Sequence, residues 1–453
     1  MLIRPAEKFR QDFKKKSIEL SYNTKVLGTK SIGIDKVNSH NFELRLDTEC
    51  ELIYQKVSNG QYKFTKFKEK LISKGAGKTP RQLSIPTIRD RLTLRILCDY
   101  IFTVFPAAKP ELPQRKITLL RNSIDSGKFT HFVKIDLQDF YPSIDHSLLI
   151  SKLRRKIRIP EFKKLIESAI TNPTVSEANT RHGRIQTKGV AQGLSISNVL
   201  AEVFMLDIDN GLNSIAPVCI RYVDDILLLT NGDPSAVLQE ALKLLKKQKL
   251  NPHAPGTPDS KTITGRLSDG LNFLGYQLSP NQVSVKPSNI LGFESSIVTV
   301  FSEYMHRLKK CKTQTNKDTA LARFRWALNL KLTGCIYKNQ RFGWVFYYSQ
   351  INDLGILRRI DNTVEKLLNR FKITTPPFPK RMLKAFFESK RKDKLTHRYI
   401  VNYDNLTLPK MTKLLKEIGV NVAGLNAVEV SKRFHNLIRH ATRNLEKDVS
   451  SVS

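Results

Sequence analysis

Two adjacent acids between two apolar runs are the feature that most constrains the fold of this chain. Asp224 and Asp225 lie within the segment 219–230, whose other residues are mostly apolar. Short runs rich in Val, Ile and Leu predict two neighbouring antiparallel strands, with the acids at the tip of the hairpin. Asp is common in turns, so the acids alone also fit an ordinary polar turn. A two-metal phosphoryl-transfer site is the other interpretation, and it needs a third carboxylate from a different segment.

The third acid is Asp136, near the end of the alternating stretch 132–137. This stretch is rich in residues that favour strands, so Asp136 is predicted at a strand end. Mg²⁺ prefers oxygen ligands, and carboxylates on adjacent strands can bridge two ions. The sequence therefore predicts two Mg²⁺ ions, with Mn²⁺ as an alternative, held by Asp136 and Asp224 with support from Asp225.

Net charge points to a polyanionic partner. The 453 residues contain 76 Lys and Arg against 41 Asp and Glu, a net charge of +35 at pH 7. Such an excess makes the folded chain repel itself, and nucleic acid is the partner that best explains it. No apolar run reaches the roughly 18 residues of a membrane span, and residues 1–17 lack the apolar core of a secretion signal. We therefore expect no membrane partner.

The cysteines and histidines show no metal-binding or disulfide pattern. Five cysteines are an odd number without a Cys-x-x-Cys pair, which favours a reducing cytoplasm. The nine histidines lack metal-ligand spacing with cysteine and are interpreted as surface or packing residues.

Hydrophobic periodicity predicts an α+β fold. From 130 to 280 the order is strand, helix, hairpin, helix, strand, which suits a sheet with helices on one face. The helices are predicted at 197–208 and 237–250, and further helices at 354–371 and 428–445. A Gly- and Ser-rich junction precedes the first of them, with Gln192 and Gly193 able to approach a ligand closely.

A basic segment follows the Pro-rich break at 376–379. Cations beside aromatic side chains suit RNA binding, although a solvated helix face is the alternative interpretation. The nucleic-acid-binding residues predicted in this segment are Lys380, Arg381, Lys384, Lys390 and Arg391.

Together these motifs resemble the reverse transcriptases, over roughly residues 75–285. Asp136 matches the first catalytic motif, Gln192-Gly193 the glutamine-glycine motif, and Tyr222-Val223-Asp224-Asp225 the second catalytic motif. Residues 272–276 match the primer-grip hairpin, and residues 85–91 resemble the fingers motif of the bacterial members. All five occur in the family's order.

The resemblance implies a right-hand polymerase fold with an α-helical carboxy-terminal extension. Its parts would be a basic amino-terminal extension at 1–70, fingers and palm at 71–285, a helical thumb at 286–375 and a basic helical region at 376–453. The implied enzyme is an RNA-directed DNA polymerase that uses dNTPs and an RNA template and releases a DNA product. Oligomer formation is compatible with the sequence.

Roles for individual residues are also implied by the resemblance. Tyr141 stands where the family keeps an aromatic steric gate against the ribose 2′-hydroxyl, and Lys261 is the candidate for the lysine that assists the leaving pyrophosphate. The nucleotide-binding residues would be Lys78, Arg81, Tyr141, Gln192 and Gly193. Nucleic acid would be contacted by Arg91, Phe273, Gly275 and Tyr276.

Departures from the family pattern narrow the subgroup. Ala191 stands where proline usually precedes the glutamine, and Asn198 stands where proline usually follows Ser197. The chain resembles bacterial defence-associated reverse transcriptases, including the abortive-infection type, so phage defence with a noncoding RNA template is expected. The alternatives are a maturase-like splicing cofactor, template-independent or protein-primed DNA synthesis, and an RNA-dependent RNA polymerase, which Tyr141 disfavours.

Overall fold

The computed structural model describes residues 4–29, 31–73, 75, 79–180, 183–257, 260–391, 393 and 396–450. Its α-helices are, in chain order, α1 Pro5–Asp12, α2 Lys15–Ser21, α3 Ser39–Glu43, α4 Leu46–Ser58, α5 Ile88–Val104, α6 Pro113–Asp125, α7 Phe140–Ser143, α8 His146–Arg154, α9 Pro160–Thr171, α10 Ser195–Ile215, α11 Pro234–Lys247, α12 Pro287–Lys310, α13 Gln314–Thr333, α14 Trp344–Tyr347, α15 Leu354–Arg370, α16 Met382–Ser389, α17 Leu408–Glu417 and α18 Ala427–Ser450. Its strands are β1 Phe67–Ile72, β2 Arg81–Ile85, β3 His131–Gln138, β4 Thr174–Val175, β5 Val218–Tyr222, β6 Asp225–Thr230, β7 Asn251–Pro252, β8 Ile263–Arg266, β9 Leu271–Phe273, β10 Tyr276–Ser279, β11 Gln282–Val285, β12 Cys335–Tyr337, β13 Gln340–Phe342 and β14 Val401–Asn402. Within these residues, every helix is too short or too polar to cross a membrane.

The chain divides into two compact units. The first consists of Met1–Glu111 and Phe129–Gly265, and the second of Leu112–Lys128 and Arg266–Ser453. This division places the segment 1–70 with the first unit and the hairpin near 275 with the second. The four-part division expected from sequence stays a prediction.

The central sheet of the first unit has the strand order β5-β6-β3-β7, and β8 also pairs with β3. The pairs β5–β6, β6–β3 and β3–β7 are antiparallel. Strand β6 carries the continuous buried apolar run 226–229, and β3 buries Phe132, Val133, Ile135 and Leu137, because helices α10 and α11 pack on the sheet. The predicted order of strand, helix, hairpin and helix is confirmed, and so is the α+β class.

The amino-terminal helices belong to the core of the first unit. Phe9 on α1 packs against Tyr100 on α5 and Phe162 on α9, with ring centroids 5.2 and 6.0 Å apart. Arg89 on α5 binds the buried Glu49 carboxylate through both Nε and Nη2. The polar composition of 1–70 hides this core, because its apolar residues are spread over four short helices.

The second unit contains two three-stranded sheets among its helices. Their strand orders are β11-β10-β9 and β13-β12-β14. Sequence periodicity predicts its helices but not the sheet β13-β12-β14, because strands of two or three residues are too short to show alternation. A core around Phe434 and Leu415 joins this sheet to helices α17 and α18.

Candidate active site

A strained two-residue turn forms the tip of the central hairpin. Tyr222 and Asp225 are paired across β5 and β6, so Val223 and Asp224 are the two loop residues. Val223 has a φ of 57°, a backbone conformation that a β-branched residue adopts at a cost of about 1–3 kcal/mol. A positive φ at the first loop position is what a type II′ hairpin requires, and it is usually supplied by glycine. The turn is therefore held in this shape by its surroundings.

Strand register brings the third acid to this tip. Asp136 on β3 is the direct partner of Asp225 on β6, and it is only 7% exposed. The backbone N–H of Asp136 donates to Thr262 Oγ1 at 3.3 Å, which ties the strand end to the chain beside β8. The predicted convergence of carboxylates from two segments is present in the structure.

Burial and neighbouring charges change the pKa values of Asp224 and Asp225. Burial, together with the negative charges of Asp225 and Asp136, raises the pKa of Asp224 above its usual range. Burial also raises the pKa of Asp225, although the Lys134 ammonium 3.7 Å from its Oδ1 opposes the rise. Both shifts mean that the folded chain tolerates the charged forms poorly unless a cation compensates them.

Two basic side chains flank Asp136. His253 Nε2 lies 3.1 Å from Asp136 Oδ2, and Lys261 Nζ lies 3.8 Å from Oδ1. Gln138 Nε2 lies 2.9 Å from His253 Nδ1, so Nδ1 can accept from the Gln138 amide. This suits the histidine tautomer in which the proton is on Nε2, the nitrogen that faces Asp136. Lys261 thus lies beside Asp136, and its role with the leaving pyrophosphate stays a prediction. His253 is a residue that the sequence interpretation missed, because nothing in the spacing of the histidines distinguishes it.

The donor set suits a hard divalent cation. Asp136, Asp224 and Asp225 offer only oxygen ligands, from two adjacent strands, and a cation would relieve their mutual repulsion. Among the described residues, no three His, Cys, Asp or Glu side chains form a group that could hold a metal ion. Mg²⁺ is commonly held by one or two carboxylates together with substrate phosphates and water, so this arrangement fits a metal that binds with its substrate.

We expect Asp224→Asn to stabilise the metal-free protein. Because the folded-state pKa of Asp224 is raised, the folded chain holds the proton more tightly than the unfolded chain, and stability falls as pH rises through the interval between the two pKa values. At neutral pH in EDTA the variant should gain about 1 kcal/mol in free energy of unfolding. Denaturant titrations from acid to neutral pH would measure it.

Asp225→Asn provides the comparison for that experiment. It should gain less than Asp224→Asn, because Lys134 loses its contact with the Asp225 carboxylate. Added Mg²⁺ should stabilise the wild type more than either variant. An Asp224→Asn protein that is less stable than the wild type across the pH range would contradict the repulsion described above.

The candidate steric gate, Tyr141, lies within electrostatic range of Asp224. Tyr141 is partly buried, and its hydroxyl donates to Asn198 Oδ1 on α10 at 3.3 Å. Burial raises the pKa of Tyr141 to about 12, and the Asp224 carboxylate adds to this rise. The charge of Arg81 acts on the same hydroxyl in the opposite direction. The Tyr141 hydroxyl therefore lies within electrostatic range of both Arg81 and Asp224.

The glutamine-glycine loop is fixed against β2. The backbone carbonyl of Gln192 accepts from Ser84 N at 2.7 Å. Gly193 has a φ of 95°, and a Cβ there would stand 3.1 Å from the Ser84 carbonyl oxygen. The strand that begins with the exposed Arg81 is thus tied to the loop that precedes α10.

Lys78 and Arg91 are the other two residues predicted to bind nucleotide or nucleic acid from the fingers. Lys78 lies outside the described residues. Arg91 donates from Nη1 to the Ser31 carbonyl at 3.0 Å and from Nη2 to the Pro86 carbonyl at 3.4 Å. Its guanidinium therefore braces the chain around β2 and α5, and its predicted contact with nucleic acid stays a prediction.

In the predicted primer-grip hairpin, the side chains of Phe273 and Tyr276 are buried. Phe273 is 1% exposed and Tyr276 is 0% exposed, and the Tyr276 hydroxyl donates to the Tyr347 carbonyl. Leu274 and Gly275 form the turn with φ values of 49° and 76°, as a type I′ hairpin requires. The three predicted residues, Phe273, Gly275 and Tyr276, therefore shape the hairpin in the second unit. Any contact with nucleic acid would come from its backbone or from outward residues such as Gln277, which is exposed.

Of the five cations predicted to bind nucleic acid in the basic segment near 380, one is partly buried and four are exposed. Lys380 is partly buried, and its Nζ donates to the Tyr399 carbonyl. The same Nζ lies 5.0 Å from the centroid of the Tyr399 ring. Phe387 on the same segment is 54% exposed. The exposed cations are Arg381, Lys384, Lys390 and Arg391. A surface of exposed cations beside an aromatic ring suits single-stranded nucleic acid, so these four predictions keep their physical basis.

Comparison with known proteins gives the class. The family described as "Reverse transcriptase (RNA-dependent DNA polymerase)" matches residues 72–278. The chain therefore contains a reverse transcriptase domain, that of an RNA-directed DNA polymerase, and the right-hand polymerase class predicted for the fold is confirmed. Such an enzyme is a nucleotidyltransferase.

Two curated proteins are similar to this chain at low sequence identity. Protein YkfC of Escherichia coli (strain K12) is 24% identical over 302 residues, covering 55% of this chain and 76% of that protein. The "Putative COX1/OXI3 intron 1 protein" of Saccharomyces cerevisiae is 27% identical over 180 residues, covering 37% of this chain and 21% of that protein. The chain thus matches about a fifth of the yeast relative.

Telomerases are among the solved structures to which this chain is similar. Telomerase from Candida albicans, in complex with a fragment of telomeric RNA, gives a TM-score of 0.45 at 11% identity, covering 91% of this chain and 67% of that one. Apo telomerase from Candida tropicalis gives 0.38 at 14% identity, covering 49% and 55%.

Proposed function

We propose that the first unit copies RNA into DNA by two-metal nucleotidyl transfer, with Asp136, Asp224 and Asp225 as the metal ligands. The observation that carries the proposal is the register of Asp136 with Asp225 beside the turn that holds Asp224. When bound, two Mg²⁺ ions would supply the positive charge that activates the primer 3′-hydroxyl and stabilises the departing pyrophosphate.

The chain's own residues select and orient the nucleotide. Arg81, exposed at the start of β2, is suited to the triphosphate because its guanidinium offers several donors to phosphate oxygens. Lys261 is 63% exposed at its side chain and lies beside Asp136, so its ammonium can reach the pyrophosphate. Gln192 and Gly193 support the base and sugar from a loop fixed against β2.

We propose phage defence with a dedicated noncoding RNA as the biological setting. The net charge of +35 supports a large RNA partner, since each neutralised phosphate adds to affinity. The departures at Ala191 and Asn198 support the bacterial defence-associated subgroup. No disulfide joins the five cysteines, which are all among the described residues, and this suits a reducing cytoplasm as the location: Cys50, Cys98, Cys219, Cys311 and Cys335.

A maturase-like splicing cofactor is the second candidate function. The yeast relative is named as an intron protein, and the second unit carries the exposed cations that intron binding would need. In this role RNA binding would matter more than polymerisation. Splicing of a bound intron would then survive replacement of Asp224.

Sequencing of the nucleic acids that copurify with the full chain, RNA and DNA separately, tests the proposal. We expect one noncoding RNA species and DNA complementary to it. Recovery of an unspliced intron RNA without complementary DNA would favour the maturase, and DNA unrelated to any bound RNA would favour template-independent or protein-primed synthesis. Extension reactions should prefer dNTPs, and a preference for NTPs would contradict reverse transcription.

A further inference from the structure

One buried arginine holds the catalytic turn. Arg221 is the residue before Tyr222 on β5, and its side chain is 8% exposed. Nε donates to Asp209 Oδ1 at 2.6 Å, and Nη2 donates to Asp209 Oδ2 at 2.7 Å and to Glu202 Oε2 at 2.6 Å. Nη1 donates to Glu202 Oε1 at 3.2 Å and to the Val223 carbonyl at 3.0 Å.

Every donor of this guanidinium is therefore used. Arginine has five N–H groups in a rigid fork, and here four meet the two carboxylates while the fifth meets the turn. Burial alone would lower the pKa of Arg221, but hydrogen bonds with Asp209 and Glu202 raise it above the usual range, so the group stays charged. Lysine could not make this set of contacts, because an ammonium has three donors and no fork.

Glu202 and Asp209 lie on the same face of α10 as Asn198, which binds the Tyr141 hydroxyl. Successive helix residues turn by about 100°, so Asn198, Glu202 and Asp209 lie within about 40° of one another. Asn198 accepts from the Tyr141 hydroxyl, whereas Glu202 and Asp209 hold Arg221. A single helix face thus supports both the gate and the turn.

We propose that Arg221, held by Glu202 and Asp209, is a positioning residue that fixes the Val223-Asp224 turn in the geometry needed for metal binding and nucleotide transfer. Val223 stands in a backbone conformation that its side chain disfavours, so the turn needs an outside contact to keep its shape. The Arg221 contact with the Val223 carbonyl is that support, and it acts directly beside the Asp224 carboxylate. The inference rests on the proposed two-metal function.

Arg221→Lys in the full chain tests the inference, with Arg155→Lys as the matched control. Arg155 donates to both carboxylate oxygens of Asp207, at 3.0 and 2.9 Å, and Asp207 lies on α10 like Glu202 and Asp209. Among the described residues, no hydrogen bond or ion pair joins Arg155 to the Val223-Asp224 turn. Arg221→Lys should raise the Mn²⁺ concentration that gives half-maximal thermal stabilisation by about 10-fold, since supporting residues of metal sites typically affect affinity by this much or more. Its kcat should fall by about 10-fold or more with a smaller change in KM for dNTP. Arg155→Lys should change neither.

The outcomes separate the two proposals. If Mn²⁺ does not stabilise the wild type, the two-metal function itself fails. If Mn²⁺ stabilises the wild type and a folded Arg221→Lys protein alike, with the same kcat, the positioning role is overturned and the function stands. An equal loss in Arg155→Lys would also overturn it, because the effect would belong to α10 generally. If Arg221→Lys does not fold, Asp209→Asn replaces it, because this change removes one carboxylate oxygen that accepts from Arg221. The Mn²⁺ concentration for half-maximal stabilisation should again rise and kcat should again fall. Unchanged values of both would overturn the positioning role.

Discussion

Asp224→Asn combined with Asp225→Asn is expected to abolish nucleotide addition while RNA binding is retained. The two side chains lie at the tip of the hairpin beside Asp136, so the double change removes two of the three candidate metal ligands without changing side-chain shape. Extension of a primer on an RNA template should slow by about 1,000-fold or more, since metal ligands act as a unit in such sites.

RNA affinity should stay nearly constant in this variant. Binding is expected to come from many contacts between cations and phosphates, and the two aspartates contribute none of them. Filter binding over a series of salt concentrations would show an unchanged slope. Loss of binding in parallel with loss of activity would instead mean that the variant had disturbed the fold.

Asp233→Asn is the matched control for this pair. Asp233 follows β6 and caps α11, where its carboxylate accepts from Ser235 N and Ala236 N. Asparagine caps helices about as well as aspartate, so the control should keep both stability and activity. Full polymerisation by the Asp224 and Asp225 double variant would contradict the assignment of the metal site.

The central part of this site could be predicted from sequence because its signals are local. Asp136, Asp224 and Asp225 each stand at the end of an apolar run, and a strand end is a place that periodicity can locate. The helix after Gln192-Gly193 was likewise visible from its apolar residues, although it extends from Ser195 to Ile215 and so beyond the predicted 197–208. Antiparallel pairing then places the acids together.

The supporting residues could not be predicted because their partners are distant in the chain. His253 reaches Asp136 only because β7 pairs with β3, and two-residue strands leave no pattern. Arg221 meets Glu202 and Asp209 only once α10 has packed against β5. Ordinary polar residues on a helix carry no sign that they face a buried guanidinium.

Motif residues also differ in what they do within the fold. Phe273 and Tyr276 match a motif associated with primer contact, yet both side chains are buried. Alternation along a short hairpin places every second side chain inside, so a motif can preserve the shape of a hairpin while its outward neighbours face the ligand. Sequence alone does not tell these two reasons apart.

Tyr141→Ala is expected to weaken discrimination between dNTPs and NTPs. The Tyr141 hydroxyl lies within electrostatic range of Asp224, and it donates a hydrogen bond to Asn198 that fixes the ring. Removing the ring opens space for a ribose 2′-hydroxyl, and the preference for dNTPs over NTPs should fall by about 100-fold, the upper range for a contact based on shape alone. Competition between dCTP and CTP on one RNA template would measure the change.

Tyr141→Phe separates the ring from its hydroxyl. Phenylalanine keeps the bulk that excludes the 2′-hydroxyl and loses only the bond to Asn198, so its selectivity should stay close to that of the wild type. If the alanine variant also keeps the wild-type ratio, the steric gate is a different residue. If phenylalanine relaxes selectivity as much as alanine does, the ring depends on Asn198 for its position, and α10 then contributes to the choice of sugar as well as to the shape of the catalytic turn.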